Sequence, residues 1–313
     1  MLEKELELMT KVSLLYYKQE FSQREIAKKL DISRPKVSRL LNKAKEEGIV
    51  KIEIVSPVKD TSNLESEIEL RYNLKEVLFI DKTDNQPDEL IKIKIANKCS
   101  EYLERITEGK EYLGLAAGTT LYKFAEEGNF SNRKDYRYIP LIGSLSDIGE
   151  SYNSNEICSI LSKRVGGTNY LLSAPALVKS QEIANSFRDE TRIKRIFNLY
   201  KKIDVAILGI GVASKNHPLY KGHLTPREEK ELEAHPLCGS LGIITYDQNG
   251  EIIETAFLKR SLGIDFKELL NIPIRIGLAF GVKKREAIFA AIKGEFVNVL
   301  ITDLNTGQWL NKI

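Results

Sequence analysis

Several short runs in this chain are apolar at nearly every position: VLFI (77–80), DVAILGIG after its first residue (204–211), IRIGLAFG but for one arginine (274–281) and VNVLIT but for Asn298 and Thr302 (297–302). A strand with alternating polarity can leave one face in water. A strand apolar on both faces must be covered on both. Segments of helical periodicity separate these runs, so the chain predicts an open parallel sheet with helices on each side. Further strands are expected at 112–116, 136–142 and 169–173. Helices are expected at 61–72, 88–107, 119–127, 153–165, 189–202, 225–234, 283–293 and 305–311. Strands 241–246 and 251–255 flank Asp247-Gln248-Asn249-Gly250, a hairpin turn pattern.

Ligands of such sheets bind at the carboxyl ends of the strands. The predicted strand ends carry small or polar punctuation: Gly118-Thr119-Thr120, Gly143-Ser144, Ala174-Pro175, Gly209-Ile210-Gly211 and Gly281. The first is the most chemical. Glycine lets a ligand approach the backbone, and two hydroxyls with free amides at a helix start form an anion cradle. Gly281-Val282-Lys283-Lys284 repeats the arrangement with a cation. The same glycines also suit any tight strand-to-helix loop. Gly209-Ile210-Gly211 is no dinucleotide fingerprint, because no third glycine follows at the required spacing.

The N-terminal segment is different. Residues 2–19 carry Leu2, Leu6, Met9, Val12, Leu15 and Tyr16 at helical spacing. Ser22-Gln23-Arg24-Glu25 is a capping box, and Ile26, Ala27 and Leu30 are the inner face of a short helix. Asp31-Ile32 makes a tight turn. Ser33 caps a second helix with Pro35 in its first turn, Val37, Leu40, Leu41 and Ala44 as its buried stripe, and Gly48 as its stop. This is a helix-turn-helix. The outward face of the second helix carries Arg34, Lys36, Ser38, Arg39 and Asn42, suited to base edges and phosphates, and Ser22, Gln23, Ser33 and Pro35 lie at the helix starts. A purely structural helical hairpin is the alternative. IVKIEIV (49–55) alternates like a wing strand. The expected domains are 1–55, a linker at 56–63, and 64–313.

Charge divides in the same place. The total is +3, but residues 1–55 hold 12 basic and 9 acidic residues, and the remainder 35 of each. Within 21–45 eight basic residues face only Glu25 and Asp31. A basic segment on a neutral body fits a nucleic-acid-binding appendage, or more plainly a solvated helix. The N-terminus lacks a signal-peptide pattern and no run is long enough to span a membrane, so a cytoplasmic protein is expected. Cys99, Cys158 and Cys238 are far apart and odd in number, giving neither a disulfide frame nor a metal cluster. No metal or cofactor is expected.

Taken together, LYYKQEFSQREIAKKLDISRPKVSRLL, LGLAAGTTLYKFA, YLLSAPALV, DVAILGIG and AIFAAIKGEFVNVLITD resemble the SorC family of bacterial sugar-responsive transcriptional regulators, nearly end to end. The resemblance implies an N-terminal DNA-binding domain joined to a Rossmann-like effector domain similar to ribose-5-phosphate isomerase and glucosamine-6-phosphate deaminase. It implies that Gly118, Thr119, Thr120 and Lys284 hold an effector's phosphate, with Asn153 and Asn155 at the sugar hydroxyls. Two departures stand out. Ile142 occupies a position where some members have lysine or arginine. Ser240 stands where an acidic residue is usual. Both bear on which sugar is bound.

The resemblance to isomerases raises an alternative: a phosphosugar isomerase or deaminase with a DNA-binding appendage. Such an enzyme needs a carboxylate facing the sugar. Asp147, Glu150, Asp204 and Asp303 lie near strand termini. Asp204 opens its strand, at the wrong end of the sheet, and Asp303 suits a helix cap. His217, His223 and His235 show no triad or metal spacing. The sequence favours a regulator of a carbohydrate-utilisation operon, binding operator DNA and a sugar or sugar phosphate, as a homodimer or homotetramer that pairs its DNA-reading heads.

Overall fold

A computed structural model describes residues 3–51, 61–82, 86–108, 111–144, 152–214 and 222–313. The chain divides into two compact units, Met1–Asp60 and Thr61–Ile313.

The first unit has three helices: α1 (Glu3–Tyr17), α2 (Gln23–Leu30) and α3 (Arg34–Glu46). Met9, Val12 and Leu15 of α1 close over Ile26 of α2 and Val37, Leu40, Leu41 and Ala44 of α3 in one small core. Leu6, expected on the inner stripe, is exposed, and Leu2 lies outside the described residues. Asp31 takes the left-handed conformation (φ 54°) that ends α2 and aims α3 across it. Aspartate tolerates this geometry better than most residues. The predicted wing falls mostly on residues outside those described.

The second unit begins with α4 (Ser62–Tyr72), which takes up the end of the expected linker. There follow β1 (Glu76–Ile80), α5 (Asp88–Ile106), β2 (Tyr112–Leu115), α6 (Thr119–Glu127), β3 (Arg137–Pro140), α7 (Ser154–Val165), β4 (Thr168–Asn169), α8 (Gln181–Asp189), α9 (Thr191–Tyr200) and β5 (Val205–Val212). The remainder is α10 (Pro226–Ala234), β6 (Leu237–Leu241), β7 (Ile244–Asp247), α11 (Ala256–Lys259), α12 (Phe266–Leu270), β8 (Ile274–Leu278), a 3-10 turn at Val282–Lys284, α13 (Arg285–Lys293), β9 (Val299–Asp303) and α14 (Leu304–Leu310). Seven strands lie side by side in the order β1-β9-β8-β5-β2-β3-β4, all parallel. Every residue of β8 and β9 is buried, as strands covered on both faces must be. Antiparallel β6 and β7 extend from the end of β5.

Four points differ from the sequence reading. The strand at 169–173 shrinks to Thr168–Asn169, because Leu172 turns its backbone to the Asn155 side chain and Ser144 pairs with Pro175. The expected turn at Asp247–Gly250 is present, with the Gly250 amide donating to the Asp247 carbonyl at 3.1 Å and the Ile253 amide to the Thr245 carbonyl at 2.9 Å, but the strand expected at 251–255 is reduced to the bridge Tyr246↔Ile252. A further hairpin, turning at Gly242-Ile243 with Gly242 at positive φ, joins β6 to β7. The helix expected at 189–202 is α9, and α8, not expected from the sequence, precedes it across Glu190 in extended geometry. Two short helices, α11 and α12, have no periodicity long enough to read.

One buried ion pair ties the segments beyond β5 together. Arg260 donates to Glu228 through Nε at 2.6 Å and Nη2 at 2.8 Å, and to the carbonyls of Val178 at 2.6 Å and His223 at 2.7 Å. Glu228 also accepts from the Thr225 amide and hydroxyl in the capping box of α10. Burial alone would raise the Glu228 pKa. The Arg260 and Thr225 hydrogen bonds outweigh it and lower the pKa from its ordinary 4.5. Removing one partner of such a pair leaves a buried charge alone, at a cost of about 3–5 kcal/mol. Arg260→Ala is therefore expected to destabilise this unit by about that amount in urea unfolding, and Arg260→Met with Glu228→Leu to recover part of it. Because the Glu228 pKa is depressed on folding, its contribution is complete above pH 4.5 and is lost as the pH falls through the lower folded value.

Candidate nucleic-acid interface and anion site

The first candidate surface is the outer side of α3. Ser22 Oγ accepts from the Glu25 amide while Glu25 accepts from the Ser22 amide at 2.8 Å, the capping box read from the sequence. Ser33 Oγ accepts from the Lys36 amide. With Val37, Leu40, Leu41 and Ala44 turned inward, Arg34, Pro35, Lys36, Arg39 and Asn42 are exposed and Ser38 half-buried. Pro35, Ser38, Arg39 and Asn42, with Lys43 and Glu46, line one open groove. Arg34, Lys36 and Arg39 enter no ion pair among the described residues. Ser22 and Gln23 sit at the start of α2, outside that groove, and the Ser22 and Ser33 hydroxyls serve the helix caps.

The second candidate lies where the strand order reverses. From β2 the chain runs to its neighbour β3. From β5 it runs to β8, on the other side. Crevices at such reversals, beyond the carboxyl ends, are where open α/β sheets bind ligands. Gly118 ends the β2 turn with φ 142°, and a Cβ built on it meets nothing within 4 Å. Its amide is taken, donating to the Tyr152 carbonyl at 2.9 Å. The amides that begin α6 are not: this helix has no side-chain cap, and its first amides have no acceptor inside the helix. Thr119 is exposed there and Thr120 buried. Lys284 arrives from β8. Its Nζ donates to the Ile210 carbonyl at 2.8 Å. The β2–β5 register ends at Leu115↔Ile207, so the turn after β2 and the lysine after β8 both lie at the carboxyl ends of the two strands that flank β5. Burial lowers the Lys284 pKa, Lys92 lowers it further, and Asp88 opposes them. No carboxylate pairs with Lys284 among the described residues. An uncapped helix start beside a desolvated cation is a place for an anion.

The other expected effector residues have structural bonds. Gly143 is packed too tightly for any side chain, since an added Cβ would lie 2.6 Å from the carbonyls of Ala174 and Pro175. Ser144 pairs its backbone with Ala174 and Ala176 at 2.8 and 2.7 Å. Asn153 caps α7, accepting from the Glu156 amide at 2.9 Å. Asn155 holds Leu172 at both ends, donating to its carbonyl at 3.1 Å and accepting from its amide at 3.0 Å. Ser144 and Asn155 do line one open groove with Leu171–Pro175. Ser240 is buried in β6, opposite Gly211 and so next to the Lys284 acceptor. Ile142 is buried and lines an apolar cavity with Leu241 and Ile243. Lys92, Asp88 and Tyr152 were not legible as neighbours of the site. Nothing in the sequence says that the start of α5 comes beside Lys284.

Two of the acidic candidates for catalysis, Asp204 and Asp303, are committed elsewhere. Asp204 accepts from the Glu111 and Tyr112 amides, both at 3.0 Å, at the amino end of the sheet. Asp303 caps α14 through Thr306 and takes the Gly281 amide at 2.7 Å. Asp147, Glu150 and His217 lie outside the described residues. The His223 carbonyl serves Arg260, and His235 ends α10. Among the described residues no cluster of His, Cys, Asp or Glu could hold a metal ion, and no helix is long and apolar enough to cross a membrane.

Residues 56–310 match the family described as "Putative sugar-binding domain", and residues 13–51 match a winged helix-turn-helix DNA-binding family. The sorbitol operon regulator of Klebsiella pneumoniae is 28% identical over 98% of both chains. Its full-length crystal structure superposes with a TM-score of 0.74 at 26% identity, again over 98% of each chain. The chain belongs to the SorC family of transcriptional regulators. The deoxyribonucleoside regulator of Bacillus subtilis is 28% identical over 97% of each chain. Like these SorC-family relatives, the chain is a DNA-binding transcriptional regulator with a sugar-binding C-terminal domain.

A desolvated lysine with no carboxylate paired to it costs stability. Lys284→Met is expected to raise the thermal midpoint of the unliganded protein, by about 1 kcal/mol of stability, and to abolish stabilisation by phosphate-bearing ligands in a thermal-shift assay.

Proposed function

We propose that a phosphorylated sugar is the effector of this SorC-family regulator. Its phosphate sits on the uncapped start of α6, at Thr119 and Thr120, with Lys284 as its counter-ion. The observation that carries the reading is that pairing of an uncapped helix start with a carboxylate-free lysine at the strand-order reversal. The sugar extends toward Ser144, Asn155 and Ser240. The relatives named for sorbitol and deoxyribonucleosides support a carbohydrate-utilisation operon as the target. With Asp204 and Asp303 both holding backbone amides, neither serves as the base an isomerase needs, which supports a sensor rather than an enzyme. The regulator acts in the cytoplasm.

In this reading α3 enters the major groove, with Arg34, Arg39 and Asn42 at base edges and Lys36 at phosphate. One short helix makes few contacts, so the effector unit assembles as a homodimer or homotetramer that presents paired heads to a palindromic operator. The effector shifts operator affinity by binding two arrangements of the assembly unequally.

Arg39→Ala is expected to weaken operator binding by about 1–3 kcal/mol in a gel-shift or anisotropy titration, with the effector response intact. Thr119→Ala with Thr120→Ala is expected to do the reverse. The response to a panel of free and phosphorylated sugars disappears while DNA affinity is unchanged. A strict monomer on size-exclusion chromatography, with and without DNA, overturns the paired-head model. The pH dependence of effector binding has a definite sign. Because the Lys284 pKa lies below its ordinary 10.5, affinity for a sugar phosphate falls as the pH rises through that lowered value, and Lys284→Met removes the dependence.

A further inference from the structure

Lys43 stands in the DNA-facing groove of α3, between Arg39 and Glu46, yet its charge is already answered. Its Nζ lies 2.8 Å from Glu5 Oε1 on α1. This is the one ion pair that α3 makes among the described residues. Arg34, Lys36 and Arg39, its companions on the exposed surface, have none. Both partners remain partly exposed, at 35% for the lysine side chain and 42% for the glutamate. Each is also fixed by the other: the hydrogen bond between them raises the Lys43 pKa and lowers that of Glu5. The carboxylate also feels Arg39, so its field reaches the middle of the groove.

An exposed pair contributes little to folding. It is felt as well in DNA binding. Affinity for duplex DNA rises with each phosphate a cation neutralises, because a condensed counter-ion is then released. A lysine that has to break a 2.8 Å ion pair before it can meet a phosphate gives up part of that gain. We propose that Glu5 is a positioning residue that sets the grip of this head on DNA. It holds Lys43 on α1 and removes one cation from the phosphate-neutralising set, so that Arg34, Lys36 and Arg39 carry the contact. The effect is to keep sequence-independent binding weak, so that recognition depends on base-reading side chains and on effector state. This rests on α3 being the DNA-reading helix.

The test is a salt titration of the full chain on random-sequence duplex DNA, where only phosphate contacts count. Glu5→Gln keeps the shape and removes the charge. It is expected to tighten binding at low salt and to steepen the log–log salt dependence by about 0.9 per chain. Lys43→Ala in the wild-type background is expected to leave the slope unchanged, and the double variant to behave like Lys43→Ala. An unchanged slope in Glu5→Gln overturns the proposal. So does a slope made shallower by Lys43→Ala alone, which would mean that Lys43 already contacts phosphate. Wild-type protein that fails to bind DNA at all removes the reading of α3 and the proposal together, whereas binding that ignores Glu5→Gln removes the proposal alone.

Discussion

The sensor depends on a sheet buried on both faces. With β8 and β9 wholly covered, backbone groups within the strands are satisfied by their neighbours, and free polar groups can gather only where the strands stop. Most of those ends are closed by the protein itself. At the end of β9, Asp303 supplies a carboxylate that caps α14 and also takes the Gly281 amide of the next turn. At the end of β3, Gly143 and Ser144 close against Ala174 and Pro175. At the end of β2 no such group is supplied. The start of α6 has no side-chain cap, and the charge facing the crevice is positive. The protein brings its own anion to the start of α14 and none to the start of α6.

The part of this legible in the sequence is the part set by local chemistry. The helix-turn-helix could be read because each boundary has its own signal: Ser22 with Glu25, Asp31 in left-handed geometry, Ser33 with Pro35. The strands with unbroken apolar runs were legible for the same reason. What failed was decided by tertiary partners. Leu172 is no strand residue because the Asn155 amide is a better-placed partner than a neighbouring strand. The turn at Asp247–Gly250 formed as read, but the hairpin at Gly242 was not legible, because β6 is a strand through its pairing with β5 and β7.

The site was legible to a similar depth. Gly118, Thr119, Thr120 and Lys284 are named by sequence, and the fold sets them at the carboxyl ends of β2 and β8, the two strands beside β5. The two asparagines show the limit. A residue type that suits a sugar hydroxyl suits a helix cap or a backbone bridge equally well, and only coordinates show that Asn153 and Asn155 hold α7 and Leu172. Lys92 was hidden for the opposite reason: its own ion pair with Glu89 at 2.7 Å makes it look like an ordinary surface lysine of α5.

The charge distribution constrains how an effector can reach the DNA. The excess of +3 belongs to the first 55 residues, and the rest of the chain is neutral. In the proposed reading an anionic effector is compensated locally by Lys284, and physiological salt screens what field remains. In that reading the signal passes through the arrangement of subunits and the spacing of their heads. A head whose phosphate grip is held down, as Glu5 holds Lys43, makes that mechanism more effective. The weaker each head binds alone, the more of the total affinity rests on two heads engaging at once, and the more a change in their spacing can remove.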